Sequence, residues 1–178
     1  MEAITMQYSF TDKEIKQLLA SMVMLVDSRE QENGHITEYM KAKHIPYQSK
    51  KLDYGDYGAF IPSNGELGIA RDLYFPMAIE RKNSVDELAS SIKDRSRFEH
   101  ELIRSHRSSF LLLVEDKNGY ENMVMGNYRS QYQAKALLAS LKTFESRYNF
   151  RTVFIDKKMA GNYLYHHFYY AIRDTLKY

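Results

Sequence analysis

Ile79-Glu80-Arg81-Lys82-Asn83-Ser84-Val85-Asp86 is the stretch around which the chain is organised. Just upstream, Tyr74, Phe75, Met77, Ala78 and Ile79 form the apolar run of a buried strand. Downstream, Asn83 and Ser84 are good helix caps, and Val85, Leu88 and Ile92 fall at helical spacing. The stretch predicts a strand that delivers Glu80, Arg81 and Lys82 to a sheet edge, followed by a helix. Side chains alternate along a strand, so Glu80 and Lys82 share one face and Arg81 points to the other. A carboxylate and an ammonium side by side on a strand end can hold a divalent metal and meet a phosphate. For an isolated triplet, a surface ion pair with a solvated Arg is the simpler explanation.

Two more acidic strand ends lie upstream. Val23-Met24-Leu25-Val26 is a continuous apolar run that stops at Asp27, with Ser28, Arg29 and Glu30 following. It suits a central strand covered on both faces, whose carboxyl end is where ligands of open α/β sheets sit. Asp56 stands behind Gly55 at a tight turn. Read in order, Gly55-Asp56, Glu80-Arg81-Lys82 and Asp86 give GD…ERKxxxD. With Val26-Asp27-Ser28-Arg29-Glu30, this pattern resembles the nuclease domain of the XPF family of structure-specific endonucleases. The resemblance covers about Val23 to Glu115, through Ser91–Glu99 and the strand ending at Glu115, and a four-part match in order is far more specific than one triplet. The whole chain is similar to small stand-alone members found in bacterial phages and mobile elements.

The resemblance implies an α/β, restriction-endonuclease-like core with a mixed central sheet flanked by helices. It implies a Mg²⁺- or Mn²⁺-dependent endonuclease acting on branched, flapped or forked DNA in repair, recombination or phage DNA processing. Family nuclease domains commonly dimerise through their own helices, so a homodimer is expected. Members that cut branched DNA usually carry a tandem helix-hairpin-helix domain, and the chain ends too soon to contain one. The alternative is a catalytically silent DNA-binding or scaffolding partner of another nuclease, but such members usually lose the triplet or the acidic strand ends. A restriction or recombination nuclease on the same core is also compatible, since Glu-x-Lys after a distant Asp is shared by the whole group.

Asp27, Glu30, Asp56 and Glu80 are hard oxygen ligands suited to Mg²⁺ or Mn²⁺. Four converging carboxylates without a cation would raise each other's pKa, so their clustering argues for a metal. We take Asp56 and Glu80 as primary ligands, assisted by Asp27 and Glu30, with Lys82 as the catalytic cation. Arg81 is assigned a structural pairing or a DNA backbone contact. Asp86 sits in a first helical turn, where the macrodipole favours an acid and Ser84 with Glu87 forms a capping box without it, so it is supporting only. Arg29 either meets the phosphate or pairs with a neighbouring carboxylate. Arg95 or Arg97 grips DNA phosphates; Arg104 and Arg107 are left open. The six histidines show no ligand spacing, and His166 and His167 diverge on a helix.

With 178 residues, the simplest organisation is one nuclease domain over 1–178. It divides into a helical extension (1–22), a motif-bearing core (23–115) and C-terminal helices with a last strand (116–178). A net charge of +2 means that any DNA-binding positive surface is local. Absence of cysteine excludes disulfides and thiolate metal sites. No segment approaches the ~20 apolar residues of a membrane span and no signal pattern opens the chain, which makes the expected location cytoplasmic, in a bacterial host if the phage likeness holds.

Thr11 to Glu14 has capping-box spacing before Ile15, Leu18, Leu19 and Met22, predicting a short helix that packs on the domain edge or binds a partner. Further elements are a helix near 36–43, strands over 47–51 and 57–61, and a turn at Pro62-Ser63-Asn64-Gly65 that indicates a hairpin. Phe110 to Val114 is another apolar strand, followed by a loop carrying Gly119 and Gly126. A helix near 130–148, a strand over 151–155 and a tyrosine-rich helix over 162–177 complete the chain. That last helix either closes the sheet or supplies a dimer face.

Overall fold

The computed structural model describes residues 9–178. The expected extension is seen there from Ser9 on, and its first eight residues lie outside the described part. Thr11 and Glu14 do form the capping box, and α1 (Asp12–Ala20) follows. The strands β1 (Val23–Asp27), β2 (Tyr47–Lys50), β3 (Tyr57–Ile61), β4 (Leu73–Tyr74), β5 (Met77–Lys82), β6 (Ser109–Val114) and β7 (Arg151–Phe154) form one sheet. Its order is β2-β1-β3-β5-β6-β7, with β4 on β3. β1 pairs parallel with β2, and β5, β6 and β7 pair parallel in turn, while β3 runs antiparallel to β1, β4 and β5. The carboxyl ends of β1 and β5 and the start of β3 therefore meet at one end of the sheet. This is the mixed sheet flanked by helices that the sequence motifs imply.

Helices α2 (Gly34–Ala42) and α7 (Ala160–Lys177) lie with α1 on one face, over Met24, Val26, Tyr57, Ile79, Leu111 and Leu113. The opposite face of β5 and β6 carries α3 (Val85–Lys93), α4 (Arg95–Arg104), α5 (Gly119–Met125) and α6 (Ala134–Tyr148). β1 departs from expectation. Met24 and Val26 enter the first core, but Leu25, buried on the other face, belongs to neither core. Its strand is thus covered by helices on one side only.

The loop expected after β6 contains α5, and Gly126 (φ 75°) is its left-handed terminator, so this glycine ends a helix instead of marking a loop. The hairpin is β3–β4, with Gly65–Leu67 as a short 3₁₀ turn between them. α7 buries Leu164, Phe168, Ile172 and Leu176, so it closes the sheet. No helix among the described residues is long and apolar enough to cross a membrane.

Candidate active site

Backbone bonds draw the acidic segments together before any side chain acts. Asp27 N–H donates to Asp56 O (2.7 Å), Asp56 N–H to Ile79 O (2.9 Å) and Glu115 N–H to Lys82 O (2.9 Å). Gly55 makes the first two possible. Its φ is +68°, and a Cβ there would meet Ala78 Cβ at 2.9 Å and Ile79 O at 3.3 Å. Any other residue would push Asp56 away from β5.

Alternation along β5 then sorts the triplet as expected. Lys82 Nζ donates to Glu80 Oε1 at 2.6 Å on the α4 side. Arg81 points to the other face, where it donates to Glu30 and, at 2.9 Å, to Glu115 Oε2. Glu115 in turn meets His35 Nε2 at 2.5 Å. Arg81 is therefore a buried structural pairing, and Glu115 and His35 are partners the local sequence did not disclose.

Asp56, Glu80 and Lys82 line a cleft of about 770 Å³ closed by α4. Asp56 Oδ2 accepts from Arg81 N–H at 2.8 Å. Burial and the neighbouring Glu80 carboxylate nonetheless push its carboxyl up to about 8. Burial opposes the charge on Lys82, but Glu80 outweighs it and the pKa goes up, so the group stays an ammonium. Glu101, absent from every sequence motif, faces Glu80 from α4, and burial with that carboxylate pushes it up to about 7. Its only sequence signal is its place in α4 three residues before Arg104, on the helix face that lines the cleft.

The remaining predicted residues separate. Asp27 is buried and turned to Arg29, which grips both its oxygens at 2.8 Å while Leu52 N–H donates to Oδ2 at 2.8 Å. This bidentate grip holds its carboxyl well down, at about 2. Glu30 borders the cleft but its carboxylate is committed to Arg81. Arg97 and Arg104 line the cleft, whereas Arg95 is turned away, with its guanidinium 5.1 Å above the Phe144 ring and paired to Glu99 at 3.6 Å. Asp86 also leaves the site: it accepts from Arg129 N–H at 2.5 Å, while Ser84 caps α3.

Among the described residues, no three acidic or histidine side chains meet in metal-holding geometry. Two carboxylates suffice for Mg²⁺, which keeps waters and takes substrate oxygens. The donor set fits such an ion. Glu80 Oε2 is buried and receives no N–H or hydroxyl, with the Glu101 carboxyl facing it, and Asp56 beside it is pushed up by burial and Glu80 although Arg81 N–H donates to it.

An acid at the turn into β3 and, on the antiparallel β5, an acid and a buried lysine over one cleft define a restriction-endonuclease-like α/β fold. The ERCC4 domain profile matches residues 26–167, and the chain belongs to this family. XPF from Aeropyrum pernix shares the fold with a TM-score of 0.60 at 18% identity, over 85% of this chain and 65% of that one. The structure of "XPF from Aeropyrum pernix, complex with DNA" gives a TM-score of 0.58 at 19% identity, over 86% and 66%. The chain spans just under two thirds of the length of these solved structures. No curated protein matches it.

Proposed function

We propose that the cleft hydrolyses DNA phosphodiester bonds with the aid of Mg²⁺ or Mn²⁺. The observation that carries this reading is the buried Lys82–Glu80 pair beside Asp56, with one Glu80 oxygen that receives no N–H or hydroxyl. Asp56 and Glu80 would hold the ion, which when bound polarises a phosphate and makes an associated water more acidic. Lys82 neutralises charge building on the phosphate and orients the attacking water. Asp27 and Glu30 assist by fixing Arg29 and Arg81, and Glu101 adds negative charge from the opposite wall. Arg29, Arg97 and Arg104 meet backbone phosphates at the cleft rim.

Branched, flapped or forked DNA is the proposed substrate class, met in repair, recombination or phage DNA processing inside the cell. A homodimer through the outer side of α7, where Tyr170 is exposed, belongs to the same proposal. Mn²⁺ titration followed by electron paramagnetic resonance tests the metal assignment. Asp56→Asn and Glu80→Gln should each weaken binding at least about tenfold while circular dichroism stays native, since each removes one of two charged ligands. Equal binding by wild type and both variants would remove the assignment.

A further inference from the structure

The half of the sheet that no helix covers on the cleft side carries an aromatic and basic surface that the cleavage chemistry does not use. Tyr74 is 50% exposed and stacks on Phe60, with ring centroids 5.1 Å apart and planes within 17°. The two residues are directly opposite in the β3–β4 pairing, so both rings stand on one face. Lys50 Nζ lies 4.4 Å from the Tyr74 ring centroid and donates to its hydroxyl at 3.1 Å. Lys50 pairs in register with Asp27, which puts it on the face of the catalytic acids. Between Tyr74 and the cleft lies a hollow of about 260 Å³ over Leu25 and Gly58, rimmed by Lys50, Lys51 and Tyr54. Asp53 and Tyr54 line both this hollow and the cleft, so the two adjoin across that short segment.

An exposed ring stacked on a buried one, with ammonium groups beside it, is chemistry for an unpaired base and its phosphates. A duplex hides its base faces, so it cannot use such a ring. An apolar protein partner would leave Lys50 and Lys51 without counter-charges. We infer that this face is a platform for single-stranded DNA, with a base on Tyr74 and the backbone on Lys50 and Lys51, leading a strand into the cleft. The platform rests on the nuclease function proposed above, because it serves to present a single strand to that site.

The test uses a fluorescein-labelled oligodeoxythymidine in EDTA, followed by anisotropy, so that binding is read without cleavage. Tyr74→Ala should weaken binding roughly tenfold, the loss expected for one stacked base. Tyr74→Phe should keep most of the affinity, and Lys50→Ala with Lys51→Ala should flatten its salt dependence. On the wild-type protein, 5-iododeoxyuridine in the oligonucleotide should photocrosslink to Tyr74 by mass spectrometry. Wild-type affinity in Tyr74→Ala, or crosslinks confined to other residues, would overturn the platform. The two proposals are separated on the wild-type protein: anisotropy and crosslinking in EDTA read the platform, and Mg²⁺- or Mn²⁺-dependent cutting of the same oligonucleotide reads the site. Binding and crosslinking at Tyr74 without cutting in either metal would remove the catalytic assignment and leave the platform standing.

Discussion

Lys82 and Glu80 share a hydrogen bond of 2.6 Å on one face of β5, and both side chains are almost closed to water. Neither charge can be removed without stranding the other, so the pair is a stability element as well as a chemical one. Lys82→Met should cost about 3 kcal/mol at pH 8, where it leaves an acidic cluster without its cation. The loss should shrink at pH 5, as the carboxyls take up protons. Urea unfolding at both pH values measures this, and a pH-independent loss would mean that only packing was removed.

Asp56 and Glu101 predict how the metal-free protein responds to pH. Their folded pKa values, about 8 and about 7, lie above the ordinary carboxylate range. Groups raised in this way contribute stability while protonated and lose it as pH rises through the folded value. In EDTA the melting temperature should therefore fall between pH 5 and pH 9, and Mg²⁺ should restore it most at the alkaline end. Glu101→Gln should raise the melting temperature in EDTA at pH 8 by relieving repulsion. A flat profile in EDTA would show that the carboxylates do not crowd.

Arg81 should prove structural. Its side chain is 4% exposed between Glu30 and Glu115, and removing it leaves the fully buried Glu115 carboxylate with His35 alone against its charge. Arg81→Ala should cost about 3–5 kcal/mol, which corresponds to roughly 10 °C in a chain of this size. Activity per folded molecule, measured well below the new melting point, should fall far less than in Lys82→Ala. A folded, inactive Arg81→Ala would assign the guanidinium to the chemistry.

Asp27 governs the acid limb. Its carboxyl titrates at about 2 because Arg29 holds it, so the stabilisation is full above the unfolded value and disappears as pH falls from about 4 to about 2. Arg29 is 63% exposed, so solvent screening reduces the contribution to about 1 kcal/mol. Asp27→Asn should lose that amount at pH 7 and flatten the acid limb, as read by chemical denaturation at each pH.

Local pattern disclosed what strand alternation and turn chemistry control. The opposite faces of Glu80 and Arg81, the glycine turn before Asp56 and the cap at Ser84 were all legible in the residues. What depended on tertiary contact was not. Glu101 reaches Glu80 from a separate helix, and no spacing within β5 or α4 announces that meeting. Glu30 stands three residues beyond Asp27, yet the turn between them sends it to Arg81. Arg95 and Arg97 are equally basic and two positions apart, so helical phase turns one over Phe144 and the other to the cleft. His35 looked ordinary because its partner Glu115 is 80 residues away.

Cleavage of end-labelled single strand, duplex, splayed fork, flap and four-way junction by wild type and Lys82→Ala, in Mg²⁺, Mn²⁺ or EDTA, tests the catalytic claim most directly. Metal-dependent cutting by wild type that falls at least about 100-fold in Lys82→Ala, with DNA binding retained, is the predicted result. Binding without cutting by both proteins in either metal would contradict it and make this chain a silent DNA-binding partner.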